Sequence, residues 1–356
     1  MKFKNSIIGI IIFFVAYLLG AITIMYKLPP YGLLKKSKSA LSSNSTNVDY
    51  FKIPVSNTDK LRYSPVKNYD ELNKRINTFK VKVDSFEIAY DRIKIVNFLI
   101  EGSILTLTYE YNGQPDTAFA YYKPSSNKTK NEVGINVIPG SGYNQSSAIF
   151  YNEKDNYQSN IDDVMEHYGD VFVYVKPNED FLAIHNGNAK IDELSYVNYL
   201  INNGSSYSSY YMIQSMALSK FIKNNYKKLY VCGLSQGGFA ALVNSLQSQP
   251  DKSIIASGYS VLLDHPYVSG FNQLIIPNIN TLYTSVEIKK QIKESETKFL
   301  FTWGIKENEL FGKESKEKLT SLFLEELPNV ATSIHPEGHV YYEPVIKNFV
   351  EDKIFK

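Results

Sequence analysis

The chain has 356 residues, 44% hydrophobic and 21% charged, enough to bury a large core in one or two domains. Its 38 basic and 36 acidic residues leave a net charge of +2, and no basic stripe with interleaved aromatics appears, so nucleic acid is not an expected partner. A single cysteine, Cys232, excludes an intrachain disulfide and a cysteine-based zinc site; set behind Leu229, Tyr230 and Val231, it reads as a buried structural thiol.

Residues Ile7 to Tyr26 carry no charge and are rich in Ile, Leu and Phe. As a helix this run would extend about 30 Å, the thickness of a bilayer's hydrocarbon core. Lys2 and Lys4 precede it, and its end offers no small-x-small cleavage site, so an uncleaved anchor over 1–27 is expected. Lys27, Lys35, Lys36 and Lys38 follow the span and blunt the positive-inside argument. The short, signal-like start favours an exported body on the periplasmic or extracellular face. Residues 28–50, rich in Pro, Ser, Asn and Lys, read as a flexible stalk, and 51–356 as the globular body with an N-terminal extension.

The body opens with a mixed stretch in which Tyr69–Thr78 suits a short helix. Alternating apolar runs at Ile95–Ile100, Ile104–Tyr109 and Ala118–Tyr122, with a turn at Asn112-Gly113, then predict consecutive antiparallel strands. After Asn131 the pattern changes. Short apolar strands are expected at Ile135–Ile138, Val171–Val175, Lys228–Val231, Ile254–Gly258, Phe299–Trp303 and Thr332–His335. Helices are expected at Asn160–His167, Tyr211–Asn224, Gly237–Gln247, Glu287–Glu294, Glu314–Leu324 and Pro344–Phe349. Strand–helix alternation of this kind implies a mostly parallel sheet with helices on both faces. Ligands then bind beyond the carboxyl ends of the strands, so chemistry is to be sought just after each apolar run.

The strongest such signal is Gly233-Leu234-Ser235-Gln236-Gly237-Gly238, which ends a strand and opens a helix. A serine at that junction needs a sharp turn to project its hydroxyl, and small neighbours let the turn form. A phosphate-cradling turn is the competing reading, but neither G-x-x-x-x-G-K-[ST] nor G-x-G-x-x-G is present here.

On these residues, from about Asp91 to Phe349, the chain resembles the α/β-hydrolase superfamily. The resemblance implies a nucleophile elbow followed by an acid after a later strand and a histidine near the C-terminus. A serine needs a base to take its proton, and of five histidines His339, in Gly338-His339-Val340 after the last strand, matches the family's Gly-His position. His335, at the strand end, is the alternative. His167 belongs to a helix and suits the surface, while His185 and His265 lie in loops able to line a pocket.

The family commonly shows an acid in G-x-x-D, and Gly304-Ile305-Lys306-Glu307 puts Glu307 at that point. Its extra methylene leaves Glu309 and Asp264 as alternatives, and a solvated charged turn as the plain reading. For the oxyanion, the resemblance implies the backbone N–H of Gln236 and a second donor from Pro139-Gly140-Ser141-Gly142, where Pro139 replaces the family's histidine. Ser141 is assigned, with Gly142 as its neighbour able to serve instead. The segments Lys176–Phe181 and Tyr207–Tyr211 are expected to shape the pocket. Abundant tyrosine (28 residues) does not by itself argue for a sugar substrate.

These readings converge on a serine hydrolase acting on a small-molecule or polymeric acyl substrate through an acyl-serine, with no metal or organic cofactor implied. An acyltransferase using the same site, and a non-catalytic binding protein on a hydrolase scaffold, are the competing expectations.

Overall fold

The computed structural model describes residues 88–127, 132–154, 156–177, 179, 206–258, 285–307 and 327–354. The apolar run 7–26, the stalk, and the helices expected at Tyr69–Thr78 and Glu314–Leu324 lie outside them, as do His185, His265, Asp264 and Glu309. Among the described residues no helix is long and apolar enough to cross a membrane.

Three antiparallel strands open the described region: β1 (Ile93–Glu101), β2 (Ile104–Tyr111) and β3 (Gln114–Lys123). Asn112 and Gly113 join β2 to β3 with φ of 52° and 76°. Positive φ at both central residues matches the twist of a two-residue hairpin, and Asn-Gly is the pair that adopts it most readily. Leu105, Leu107, Tyr109 and Tyr111 alternate along β2 into the core.

The remaining strands, β4 (Val133–Ile138), β5 (Asp170–Val175), β6 (Lys228–Leu234), β7 (Lys252–Ala256), β8 (Lys298–Gly304) and β9 (Val330–His335), are mutually parallel. Among the described residues the sheet order is β1-β2-β3-β5-β4-β6-β7-β8-β9. The chain moves outward from β4 to β5 and then returns to lay β6 on the other flank of β4. That reversal makes the carboxyl ends of β4 and β6 a topological switch point, where loops diverge and leave a crevice.

The helices are α1 (Gln145–Phe150), α2 (Ile161–Met165), α3 (Tyr207–Asn225), α4 (Gln236–Ser248), α5 (Ser285–Glu294) and α6 (Glu343–Val350). On one face Met212, Ile213 and Met216 of α3 and Phe239 and Val243 of α4 join Ile138, Val231, Ile255 and Phe301 in the main core cluster. On the other, Lys252 of β7 runs under α6, donating to the Val350 carbonyl at 2.6 Å with its ammonium 5.7 Å from the Phe349 ring. Strands covered on both faces bury most of their side chains, which is why Val171–Val175 and Leu229–Cys232 read as apolar runs.

Several boundaries differ from expectation for local reasons. β6 continues through Gly233 and Leu234, which pair with Ile255 and Ala256. β7 stops at Ala256 because Ser257 turns left-handed, with φ of 52°. α3 starts four residues early, where the Ser206 hydroxyl caps it by accepting from Ser209 N–H at 3.2 Å.

Candidate active site

Ser235 sits between β6 and α4 with φ 62° and ψ −123°, a conformation that L-residues adopt only under constraint. The constraint is visible in its neighbours. Ser235 N–H donates to Ala256 O at 2.8 Å, tying the turn to the end of β7. A Cβ on Gly233 would lie 2.0 Å from Gly237 O, and one on Gly237 would lie 2.0 Å from Ile138 O. Only hydrogen fits at those points, so the helix can approach its own strand and β4 closely enough to leave the serine on the crest. Ser235 is half-buried, within reach of solvent.

The next two strand ends carry a carboxylate and an imidazole. A 3-10 turn, Ile305–Glu307, leaves β8 and buries Glu307, 1% exposed. One of its oxygens, Oε1, accepts from Ser257 Oγ and from Gly304 N–H, each at 2.7 Å. The other, Oε2, lies 3.0 Å from His339 Nδ1. Burial pushes the Glu307 carboxyl up, but the bonds from His339, Gly304 and Ser257 outweigh it and hold the group below the usual glutamate range. A carboxylate only accepts, so the neutral ring keeps its proton on Nδ1 and leaves Nε2 as the basic nitrogen. Glu307 therefore joins β7, through Ser257, to His339 after β9, while Ser235 is tied to Ala256, the residue beside that same Ser257.

The loop after β4 is held from behind by side chains. Gly140 N–H donates to Gln158 Oε1 at 2.5 Å, and Tyr157 Oη donates to Ser141 O at 2.8 Å. Tyr211 Oη donates to Pro139 O, and Lys176 Nζ to Gly142 O. A Cβ on Gly140 would meet Tyr157 Oη at 2.7 Å and Leu234 O at 2.8 Å, so the loop lies directly against the residue preceding Ser235. Gly142 has φ of 115°. With the Gly140 N–H committed, Ser141 and Gly142 carry the N–H groups left to meet an anion here, and Gln236 N–H opens α4 across the crevice.

Ser235, Gln236, Ser141, Glu307 and His339 thus all occupy the rim formed by the carboxyl ends of β4 and β6 to β9. His335, the alternative base, is 1% exposed at the end of β9 with its ring stacked on Tyr342 at 5.0 Å. His167 is exposed, its Nδ1 3.0 Å from Ser126 Oγ. Cys232 is wholly buried, and burial pushes its thiol far up, away from thiolate chemistry. Among the described residues no group of three or more His, Cys, Asp or Glu side chains could hold a metal ion.

The pocket expectation for the tyrosine-rich segment requires correction. Tyr207 and Tyr211 are 1% and 0% exposed and stack on each other at 6.1 Å inside the core. Tyr207 opens α3 and Tyr211 lies one turn on, both in the main core cluster, and the Tyr211 hydroxyl reaches the rim by donating to Pro139 O. Lys176, also 0% exposed, is likewise a support of the loop rather than a pocket surface. Tyr157 and Gln158 carried no sequence signal, because they lie in a turn segment with neither a motif nor periodicity.

A parallel sheet with an antiparallel start, a switch point at β4 and β6, and a serine on a strained strand–helix turn at that point decide the architecture. The chain has the α/β-hydrolase fold. Neither a protein-family model nor a curated protein matches it. Among solved structures, it is similar to a carbohydrate esterase family 15 glucuronoyl esterase from Caldicellulosiruptor kristjansonii, at 12% identity and TM-score 0.46 over 79% of this chain and 83% of that one. It is also similar to Est1E from Butyrivibrio proteoclasticus, at 10% identity and TM-score 0.43 over 70% of this chain and 96% of that one. An acylaminoacyl peptidase aligns at 12% identity and TM-score 0.41 over 74% of this chain and 50% of that one. The rim carries a hydroxyl on an elbow, an imidazole and a buried carboxylate.

Proposed function

We propose that the protein is a serine esterase that cleaves carboxylic esters through an acyl-serine intermediate. The observation that carries this reading is the 3.0 Å contact between Glu307 Oε2 and His339 Nδ1, hung from the same row of strand ends as the Ser235 elbow. A buried carboxylate held ionised beside an imidazole leaves Nε2 as a base, which a serine hydroxyl on that rim requires.

In this mechanism Ser235 Oγ attacks the ester carbonyl while His339 Nε2 takes its proton. Glu307 stabilises the imidazolium so formed. The tetrahedral oxyanion is met by the N–H of Gln236 and an N–H of the loop after β4, Ser141 or its neighbour Gly142. Collapse expels the alcohol, which takes the proton from His339. Water then attacks the acyl-enzyme with His339 again as base, releasing the acid and restoring Ser235.

The substrate proposed is an acylated small molecule or polymer of the cell envelope or its surroundings. The basis for that location is the uncharged run Ile7–Tyr26, which as a helix would tether the body to a membrane. Labelling of the purified protein with a fluorophosphonate, wild type against Ser235→Ala, tests the nucleophile. Retained labelling in the variant would refute it.

A further inference from the structure

Tyr157 makes two contacts that join parts of the rim contributed by different strands. Its hydroxyl donates to Ser141 O at 2.8 Å. Its ring stacks on the His339 imidazole with centroids 5.4 Å apart and planes 29° from parallel. The base follows β9 and the Ser141 loop follows β4, two strands with β6, β7 and β8 between them in the sheet. Tyr157 touches both loops where they meet above the strand ends.

The hydroxyl contact has a specific consequence. In a planar trans peptide the C=O of one residue and the N–H of the next point in opposite directions. Holding Ser141 O therefore fixes the direction of Gly142 N–H as well. Glycine at 142, with φ of 115°, offers little steric resistance to rotation of that peptide plane. A flip there would exchange an N–H donor for a carbonyl, which repels an oxyanion. In the same loop Pro139 O accepts from Tyr211 and Gly142 O from Lys176, while Ser141 O, whose peptide carries Gly142 N–H, accepts from Tyr157. The local packing agrees: Gly140 leaves room for the Tyr157 hydroxyl, which a Cβ would meet at 2.7 Å.

We propose that Tyr157 is a positioning residue that locks the Ser141–Gly142 peptide for oxyanion binding through its hydroxyl and braces His339 through its ring. The proposal rests on the serine-esterase reading. It assigns separable roles to two parts of one side chain: Tyr157→Phe removes the lock and keeps the brace, whereas Tyr157→Leu removes both.

The test is steady-state hydrolysis of a p-nitrophenyl ester by the full chain in wild-type, Tyr157→Phe, Tyr157→Leu and Ser235→Ala forms, with a thermal melt of each. Because the lock acts on charge that develops during reaction, Tyr157→Phe is expected to lower kcat about tenfold with KM within about twofold. Tyr157→Leu is expected to lose about a further tenfold. A Tyr157→Phe enzyme with kcat within about twofold of wild type overturns the lock, and equal rates for the Phe and Leu variants overturn the brace. A fall explained by a rise in KM or by unfolding at assay temperature overturns the positioning role while leaving the esterase reading intact. Wild-type protein no more active than Ser235→Ala defeats the esterase reading itself, and this inference with it.

Discussion

Glu307 and His339 lie 32 positions apart in the chain, yet the carboxylate of one stands 3.0 Å from the ring nitrogen of the other. Two further donors, Ser257 and Gly304 N–H, complete the coordination of Glu307. Replacing it by glutamine keeps the volume but removes the charge and allows an amide N–H to face Nδ1, favouring the wrong tautomer. Glu307→Gln should lower kcat about 10²–10⁴-fold with little change in KM. Its effect on stability has a definite sign. A carboxyl depressed in the fold contributes stability above its ordinary value of 4.5, and this is lost as pH falls through the lower folded value. The variant should therefore be destabilised at neutral pH and converge on wild type in acid, as read by urea unfolding at a series of pH values.

The two C-terminal histidines should separate by experiment. His339→Ala is expected to abolish ester hydrolysis while the protein remains folded. His335→Phe retains a planar ring against Tyr342 in a fully enclosed position, and should lower stability by about 1–3 kcal/mol without removing activity. Fluorophosphonate labelling together with circular-dichroism melts distinguishes the two outcomes; loss of labelling in folded His335→Phe would contradict the assignment of the base.

The elbow predicts a contrast between two glycines near the site. A Cβ at Gly237 would stand 2.0 Å from a backbone carbonyl, whereas one at Gly338 would meet only Lys306 Cβ at 4.0 Å. Gly237→Ala should cost several kcal/mol and lose activity by displacing α4 from Ile138. Gly338→Ala, although next to His339, should keep activity within about twofold. Expression, melting temperature and hydrolysis rate of the pair provide the check.

Away from the rim, Asp162 is fully enclosed in α2, 3.2 Å from Lys123 Nζ, which Asp163 and Glu166 also pair. Burial raises its carboxyl from 3.8 to about 6, against the opposing pull of Lys123 and with a further push from Asp163. Here the sign is reversed: the contribution is fully present below the ordinary aspartate value and is lost as pH rises to about 6. Asp162→Asn should gain on wild type by about 1–3 kcal/mol between pH 4 and 7. Parallel unfolding curves at both pH values would count against it.

Period and punctuation alone were enough to outline the sheet. Unbroken apolar runs marked strands covered on both faces, Asn112-Gly113 marked a hairpin, and Gly233 to Gly238 marked a strained strand–helix turn, because each is a local steric demand written in neighbouring residues. His339 after the last strand and Glu307 after the preceding one were singled out only through the resemblance to the α/β-hydrolase superfamily, with Glu309 and Asp264 left open. What tertiary structure alone decided was partnership. Ser257 joining Glu307, Tyr157 bridging Ser141 and His339, and Lys176 buried behind Gly142 are contacts between distant segments. Tyr207 and Tyr211 of α3 illustrate the limit: their sequence is equally suited to a pocket wall or a core, and only the packing of that helix onto the sheet made them core. Such choices depend on which strand ends the topology brings side by side, and no local pattern records that.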